Sequence, residues 1–295
     1  MSMDKAILSG TGPEPVDDTL MFQLEDGRVI LRERKRSCQS LSLFIPIKYD
    51  VLGKAEDGSS VMVSSLEPQT VRVESSSGDI MIQDIKCLQC NLISESGNIH
   101  CGGHVEGNFL LHTGSKGSIR VEKLIGDKMD LRCMKGGIFS QSLYCQEGKV
   151  VCNGGQLNLS NLHGRFSIHA AKAKLVHLNG LLGSVRGHLD CQSSTVHIVG
   201  LEDDATIESP GDVHLILGND FSGQITCQCR EFAQPDDLSP TSRDYSKLAE
   251  NVHQVLVNVA EKSHCKKLHV VAPNSRITLE QTDWLSSLNL GKWHH

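Results

Sequence analysis

The sequence predicts an all-β chain built around a single β-solenoid, a parallel β-helix-like stack of seven or eight rungs. Three observations carry this. A glycine-turn motif recurs about every 19 residues along the middle of the chain. Apolar and polar residues alternate with a period of two inside each repeat, as in Ile119-Arg-Val121 and Leu157-Asn-Leu159. No segment from Val71 to Leu217 offers a ten-residue helical stripe.

The repeat is clearest where Glu74-Ser-Ser-Ser-Gly78-Asp-Ile80 is matched by Ser94-Glu-Ser-Gly97-Asn-Ile99. Further units start at Lys116-Gly117-Ser118-Ile119, Gly136-Gly137-Ile138, Gly154-Gly155-Gln156-Leu157 and Ala173-Lys174-Leu175, with looser ones at Val196 and Val213. The markers fall at 80, 99, 119, 138, 157, 175, 196 and 213, spaced 19, 20, 19, 19, 18, 21 and 17. One such unit cannot bury a core alone. Stacked at about 4.8 Å per rung, the units can.

Three inward columns follow from the alternation. The first holds Ile80, Ile99, Ile119, Ile138, Leu157, Leu175, Val196 and Val213. The second holds Ile82, Cys101, Val121, Ser140, Leu159, His177, Ile198 and Leu215. The third holds Leu92, Leu111, Leu131, Cys152, Ile168 and Leu189. Strands spaced by about 8–12 residues also fit a sandwich or barrel. The regular repeat favours the solenoid.

Residues 1–67 read as an N-terminal tail and β cap, with a hairpin over Leu20 to Leu31 and a strand from Leu41 to Tyr49 broken at Pro46. Residues 68–230 are the repeat domain. Residues 231–295 are a linker and a small α/β cap. There a short helix from Tyr245 runs into a strand near Val259, and Leu268 to Leu279 forms a hairpin. Caps cover the rung edges that would otherwise invite aggregation.

Composition narrows the function. The formal charge of the 295 residues is −6, so no global basic field draws nucleic acid. No run of about 18 apolar residues offers a transmembrane segment. The 11 cysteines are an odd number, and no secretory leader stands at the start. A reducing, cytoplasmic compartment with free thiols is therefore expected. The basic run from Arg32 to Arg36 reads as a solvated edge rather than a signal.

Candidate chemistry is sparse. Cys87-Leu-Gln-Cys90 has the spacing of a redox or zinc half-site, but residues three apart on a strand point to opposite faces. Its obvious complement, Cys227-Gln-Cys229, lies about seven rungs away, roughly 34 Å. His100-Cys101-Gly-Gly-His104 resembles a ligand set that needs a bend to converge. The glycine pairs lack the Lys-Ser/Thr of a phosphate loop, and no hydrolase elbow or His-Glu-x-x-His stands in the chain. The acids Glu202, Asp203 and Asp204 cluster in a turn without nearby rings. No catalytic residue, metal site or cofactor is assigned. One outward column, Lys128, Lys149, Arg165 and Arg186, predicts a basic stripe about 14 Å long for a partner. Another holds His100, Arg120, Asn158, His197 and His214.

The Ser-Gly-Asp-Ile and Ser-Gly-Asn-Ile starts resemble an adhesin-labelled domain-of-unknown-function family of β-solenoids. The closer resemblance is to its eukaryotic branch, the "family with sequence similarity 185 member A" proteins. It rests on the repeat, on Leu41-Ser-Leu-Phe-Ile-Pro-Ile-Lys-Tyr-Asp50 with Glu56-Asp-Gly58, and on Ala272-Pro-Asn-Ser-Arg-Ile277 with Trp284-Leu-Ser-Ser-Leu288. The resemblance implies a solenoid from about residue 40 to 290 and no established activity, cofactor or catalytic residue. It also implies a mitochondrial alternative for the compartment. The expected function is a non-enzymatic, intracellular interaction or scaffold module with protein partners. A glycan-binding or polysaccharide-active β-helix is the first alternative, a thiol- or metal-binding protein the second.

Overall fold

The computed structural model describes residues 7–11, 20–25, 28–33, 40–55, 58–233, 243–257 and 265–282. It is all-β, with about nine turns of a parallel solenoid and no helix among the described residues.

The central coils are long bent strands: β8 (Ile80–Ser94), β9 (Ile99–Thr113), β10 (Ile119–Cys133), β11 (Ile138–Asn153), β12 (Gln156–Ala173) and β13 (Leu175–Cys191). Each pairs in parallel with the next. Register shifts near Val121/Lys123 and Ile125/Met129 mark two corners per coil. Every coil thus has three faces: a first (99–101 in β9), a short second (104–106) and a longer third (108–113), closed by a glycine turn.

The local sequence explains these bends. At the first corner Ser65, Asp84, Gly103, Asn161 and Gly180 all take positive φ, a region Asp, Asn and Gly tolerate best. At the turn, the residue before each first face reaches down one coil. The Asn98 backbone N–H donates to Asp79 Oδ1 at 2.7 Å, Ser118 N–H to Asn98 Oδ1 at 3.0 Å, and Gly137 N–H to Ser118 Oγ at 3.2 Å. The preceding glycines stack so closely that side chains have no room. A Cβ on Gly97 would lie 2.1 Å from the Gly78 carbonyl oxygen, and one on Gly117 would lie 1.8 Å from that of Gly97. The repeated Ser-Gly-Asp/Asn-Ile motif is the chemical form of this turn.

The core is one continuous strip of buried aliphatic side chains. Its first column runs Ile80, Ile99, Ile119, Ile138, Leu157, Val176, Ser194 and Val213. Leu175 and Val196, expected in this column, do not belong to it. Val196 and Leu178 instead continue the second column in place of Ile198 and His177. In the third column Val150 and Gly187 stand where Cys152 and Leu189 were expected. Corners that gain or lose a residue shift the count between turn and third face.

Cys152 lies one position deeper, in a column of Ser75, Ser94, Thr113 and Cys133. These small polar groups serve the turn. Ser75 Oγ donates to the Gly78 carbonyl at 2.8 Å, Cys133 Sγ to that of Gly117 at 3.3 Å, and Cys152 Sγ to that of Gly154 at 3.1 Å. A buried carbonyl left unpaired costs about 1–3 kcal/mol, so thiols here do the work of hydroxyls.

At the N-terminal end, β5 (Asp50–Ala55), β6 (Val61–Leu66) and β7 (Thr70–Ser75) already stack as solenoid faces beneath β8. They lengthen the stack beyond the seven or eight rungs expected. β2 (Leu20–Glu25) and β3 (Arg28–Glu33) form the expected hairpin, and β1 (Ile7–Thr11) pairs antiparallel with β4 (Ser40–Phe44).

The C-terminal end departs further from expectation. β14 (Ser193–Leu201), β15 (Ala205–Glu208) and β16 (Asp212–Gly218) continue the stack. The next strand in sequence, β17 (Gly223–Ala233), does not sit on them. β20 (Lys267–Thr282) does, pairing in parallel with β15 and β16 below and with β17 above. The last described strand is therefore inserted between two earlier layers. Expected as a hairpin, it is one coil: Pro273 to Ser275 turn between two parallel segments, and Ser275 Oγ anchors the turn on the Pro210 carbonyl at 2.6 Å. The expected short helix is instead an antiparallel pair, β18 (Arg243–Ala249) and β19 (Val252–Val257), laid on the outer edge of β17. The Val255, Val257 alternation overrode the helical spacing because an open strand edge was available to pair with. Residues 234–242 and 258–264, and the tail from Trp284, lie outside the described residues.

Candidate functional site

The predicted basic stripe divides between two columns. Lys128 is paired with Glu147, and Glu147 with Arg165. Lys149 follows Asp130 in the neighbouring column, and Arg186 follows Ser167. Lys149 follows Lys128 by 21 residues, whereas β10 and β11 keep an offset of 19 from Ile119–Ile138 to Cys133–Cys152, so Lys149 stands two positions further along the face. Charges of opposite sign alternate here, so the single-sign stripe is not formed. Arg132 is further tied to Asp130 by a two-pronged ion pair of 2.6 and 2.7 Å. The histidine column is also redrawn: it runs His100, Arg120, Phe139, Asn158, His177, Thr195 and His214, without His197.

The ligand-like set His100, Cys101 and His104 does not converge. Cys101 is fully buried, His100 is exposed on the first face, and His104 is exposed beyond the corner, bonded to Glu106 at 2.8 Å. Among the described residues no group of three or more His, Cys, Asp or Glu side chains is placed to hold a metal ion. Cys227 and Cys229 are buried in β17, and burial pushes both thiols up. Asp204 of the acidic turn accepts the Lys267 backbone N–H at 2.8 Å, a fold contact that anchors the inserted strand. Cys87 and Cys90 do meet. The second corner turns the chain between them, so both are buried and the Cys90 thiol bonds to the Cys87 sulfur.

The most distinctive surface feature is an outward ladder on the short second face. Ile125, Tyr144, His163 and Leu182 stack in register over four coils, each half-buried. Tyr144 and His163 stack with centroids 4.4 Å apart. Lys123 Nζ lies 5.6 Å from the centre of the Tyr144 ring, and Arg120 lies 5.8 Å from that of Phe139 around the corner. The adjoining column is Gly126, Cys145, Gly164 and Gly183, which raises no side chain beside the ladder. A cation held over a ring within about 6 Å contributes roughly 0.5–1 kcal/mol at an exposed site. The rings and the cations therefore hold one another in place.

The repeat held a signal for this ladder. Ile125, Tyr144, His163 and Leu182 each lie six residues beyond Ile119, Ile138, Leu157 and Val176. Period-two reading stopped at the first corner and did not carry the count across it.

Burial holds His163 below the ordinary imidazole range, with Glu202 pulling the other way, and burial likewise lowers His177 and His197. A folded-state value below the unfolded one means the unfolded chain binds more protons as pH falls. Stability from these groups is complete above the unfolded value of about 6.5 and declines as the pH drops towards the folded values. Melting temperature is expected to fall as the pH drops below about 6.5, and the His163→Gln variant to show a shallower fall. Melts at stepped pH check this.

Among the described residues no helix is long and apolar enough to cross a membrane. No solved structure matches the chain. Residues 20–229, more than half of the chain, match the model of a domain of unknown function with a β-solenoid-like structure, and the chain belongs to that family, Toastrack DUF4097.

Proposed function

We propose that this protein is a non-enzymatic interaction module whose docking face is the Ile125–Tyr144–His163–Leu182 ladder with its flanking Lys123 and Arg120. The partner is an extended protein segment that pairs apolar with acidic side chains. The ordered aromatic–cation ladder is the single observation that carries this reading. Tyr and Arg dominate binding energy at protein interfaces when their surroundings hold them in place. Four rungs about 4.8 Å apart make a ladder roughly 14 Å long, the reach of about four residues of an extended segment. Lys123 and Arg120 supply the positive charge that selects acids. Sugar stacking is disfavoured because His163 and Lys123 already occupy the neighbourhood of the Tyr144 ring. The ten described cysteines are all free, which suits a reducing intracellular compartment. Within the family, the Leu41–Asp50 and Ala272–Ile277 stretches favour the eukaryotic branch named above.

The test is an array of extended peptides combining aspartate or glutamate with aliphatic residues, run beside a glycan array. Wild-type protein is expected to bind acidic–apolar peptides. Tyr144→Ala and Lys123→Glu are each expected to weaken binding about tenfold, equal to about 1.4 kcal/mol. The pair Lys149→Glu and Arg186→Glu is expected to leave it unchanged. Glycan binding, or peptide binding indifferent to Tyr144 and Lys123, overturns the reading.

A further inference from the structure

We propose that Cys87 and Cys90 form a peroxide-oxidisable dithiol site, with Cys87 as the attacking sulfur and Cys90 as the resolving one. The proposal is independent of the docking face. It begins with the corner. The register shift between Lys86 and Gln89 bends the strand, so that two residues three apart both face the interior rather than opposite sides. Neighbouring coils then leave the corner room. Where Cys87 stands, the next coils carry Gly107 and Gly126, and a Cβ on Gly107 would lie 3.0 Å from Cys87 Sγ and 2.7 Å from its carbonyl oxygen. The thiol is held in place by donating to the Glu106 carbonyl at 3.5 Å.

The other cysteines show why this pair stands apart. Cys133 and Cys152 also meet, on adjacent coils, and the hydrogen bond from Cys152 brings the Cys133 thiol down to about 6, but both are 0% exposed, whereas Cys87 retains 7% beside the exposed Leu88. Cys101 and Cys227 are also fully enclosed, and burial raises both thiols far above the ordinary range. Cys145 shares the Cys87 corner column and a similar exposure, but burial pushes it up to about 12 and it has no thiol neighbour to resolve it. At Cys87 the hydrogen bond from Cys90 lowers the thiol against the burial that raises it, and the same bond with burial raises Cys90. That asymmetry is the division of labour of an attacking and a resolving thiol; Cys133 and Cys152 share it, but in an enclosed position, so the exposure of Cys87 is what sets its pair apart.

The oxidant is a small hydroperoxide, for which hydrogen peroxide is the probe. The Cys87 thiolate attacks one peroxide oxygen and the O–O bond breaks. This leaves sulfenic acid at Cys87, and the released hydroxide takes up a proton to become water. The Cys90 thiol, losing its proton, attacks the Cys87 sulfur and displaces a second water. In sum, two thiols and one hydrogen peroxide give one disulfide and two waters.

The experiment treats the reduced full-length protein with hydrogen peroxide and maps disulfides and free thiols by differential alkylation and mass spectrometry. An intramolecular Cys87–Cys90 disulfide is expected at least about tenfold sooner than oxidation at Cys101, Cys145 or Cys227, since thiolate fraction and access set the rate. In Cys90→Ser, sulfenic acid is expected to persist at Cys87 and be trapped by dimedone. Wild-type protein in which Cys87 and Cys90 oxidise no faster than Cys145 overturns the proposal, and this measurement needs no variant to fold. Formation of a Cys133–Cys152 disulfide in its place also overturns it.

Discussion

A chain ending at Lys266 loses cooperative folding of its C-terminal coils, while a chain ending at Thr282 keeps it. The difference between the two is β20. Its inward residues Leu268, Val270, Ala272, Ile277 and Leu279 are all 0% exposed. Burying each of the four larger side chains contributes about 1.5–3 kcal/mol, so the strand carries roughly 6–12 kcal/mol. Whole domains are stable by only about 5–15 kcal/mol. Removing β20 also strips β15 and β16 of their upper partner and leaves β17 with nothing beneath it. Urea unfolding is expected to lose its single transition, with hydrogen exchange over residues 205–229 becoming fast. An unchanged midpoint for the Lys266 truncation would show that the strand is not a rung of the stack.

Gly117→Ala is expected to destabilise the protein by about 3 kcal/mol or more, in contrast to Gly102→Ala, which is expected to change stability by less than about 1 kcal/mol. The new methyl at 117 would lie 1.8 Å from the Gly97 carbonyl oxygen and 2.7 Å from its carbon. Backbone cannot yield there without breaking the turn ladder that joins Asn98 to Ser118. At 102 the nearest atom to the added methyl lies 3.9 Å away. Chemical denaturation of the two variants side by side checks the contrast. Equal midpoints would mean the turn column relaxes, and with it the explanation of the glycine repeat.

The sequence spoke most clearly at the turns. Gly78–Ile80, Gly97–Ile99 and Gly117–Ile119 keep a constant offset because the turn ladder admits no other, and those residues stand in the column predicted for them. Legibility fades with distance from the turn. Between Ile138 and Val150 two corners intervene, and each can absorb or omit a residue without disturbing the alternation on either side. Lys149 was aligned with Lys128, where Glu147 belongs, because Lys149-Val-Val-Cys152 repeats the pattern of Lys128-Met-Asp-Leu131 two residues out of register, a slip that period-two alternation does not reveal. The Cys87–Cys90 contact was missed because strand geometry separates residues three apart, and only a bend reunites them. The placement of β20 had no local signature at all. Leu268 to Leu279 alternates as any strand does, and which layers it joins depends on an edge more than 60 residues away in sequence, as the Lys267–Asp204 bond shows.

The inserted strand also orders events during synthesis. Coils from β5 to β16 can stack in the sequence in which they leave the ribosome, each on the one before. β17 cannot follow suit, because its neighbour below, β20, is made after it. Until β20 has left the ribosome, the upper edge of β15 and β16 stays bare, with its hydrogen-bonding groups open to any strand in reach. This end of the stack thus closes later than the coils beneath it. In that interval a nascent chain most needs shielding from its own copies.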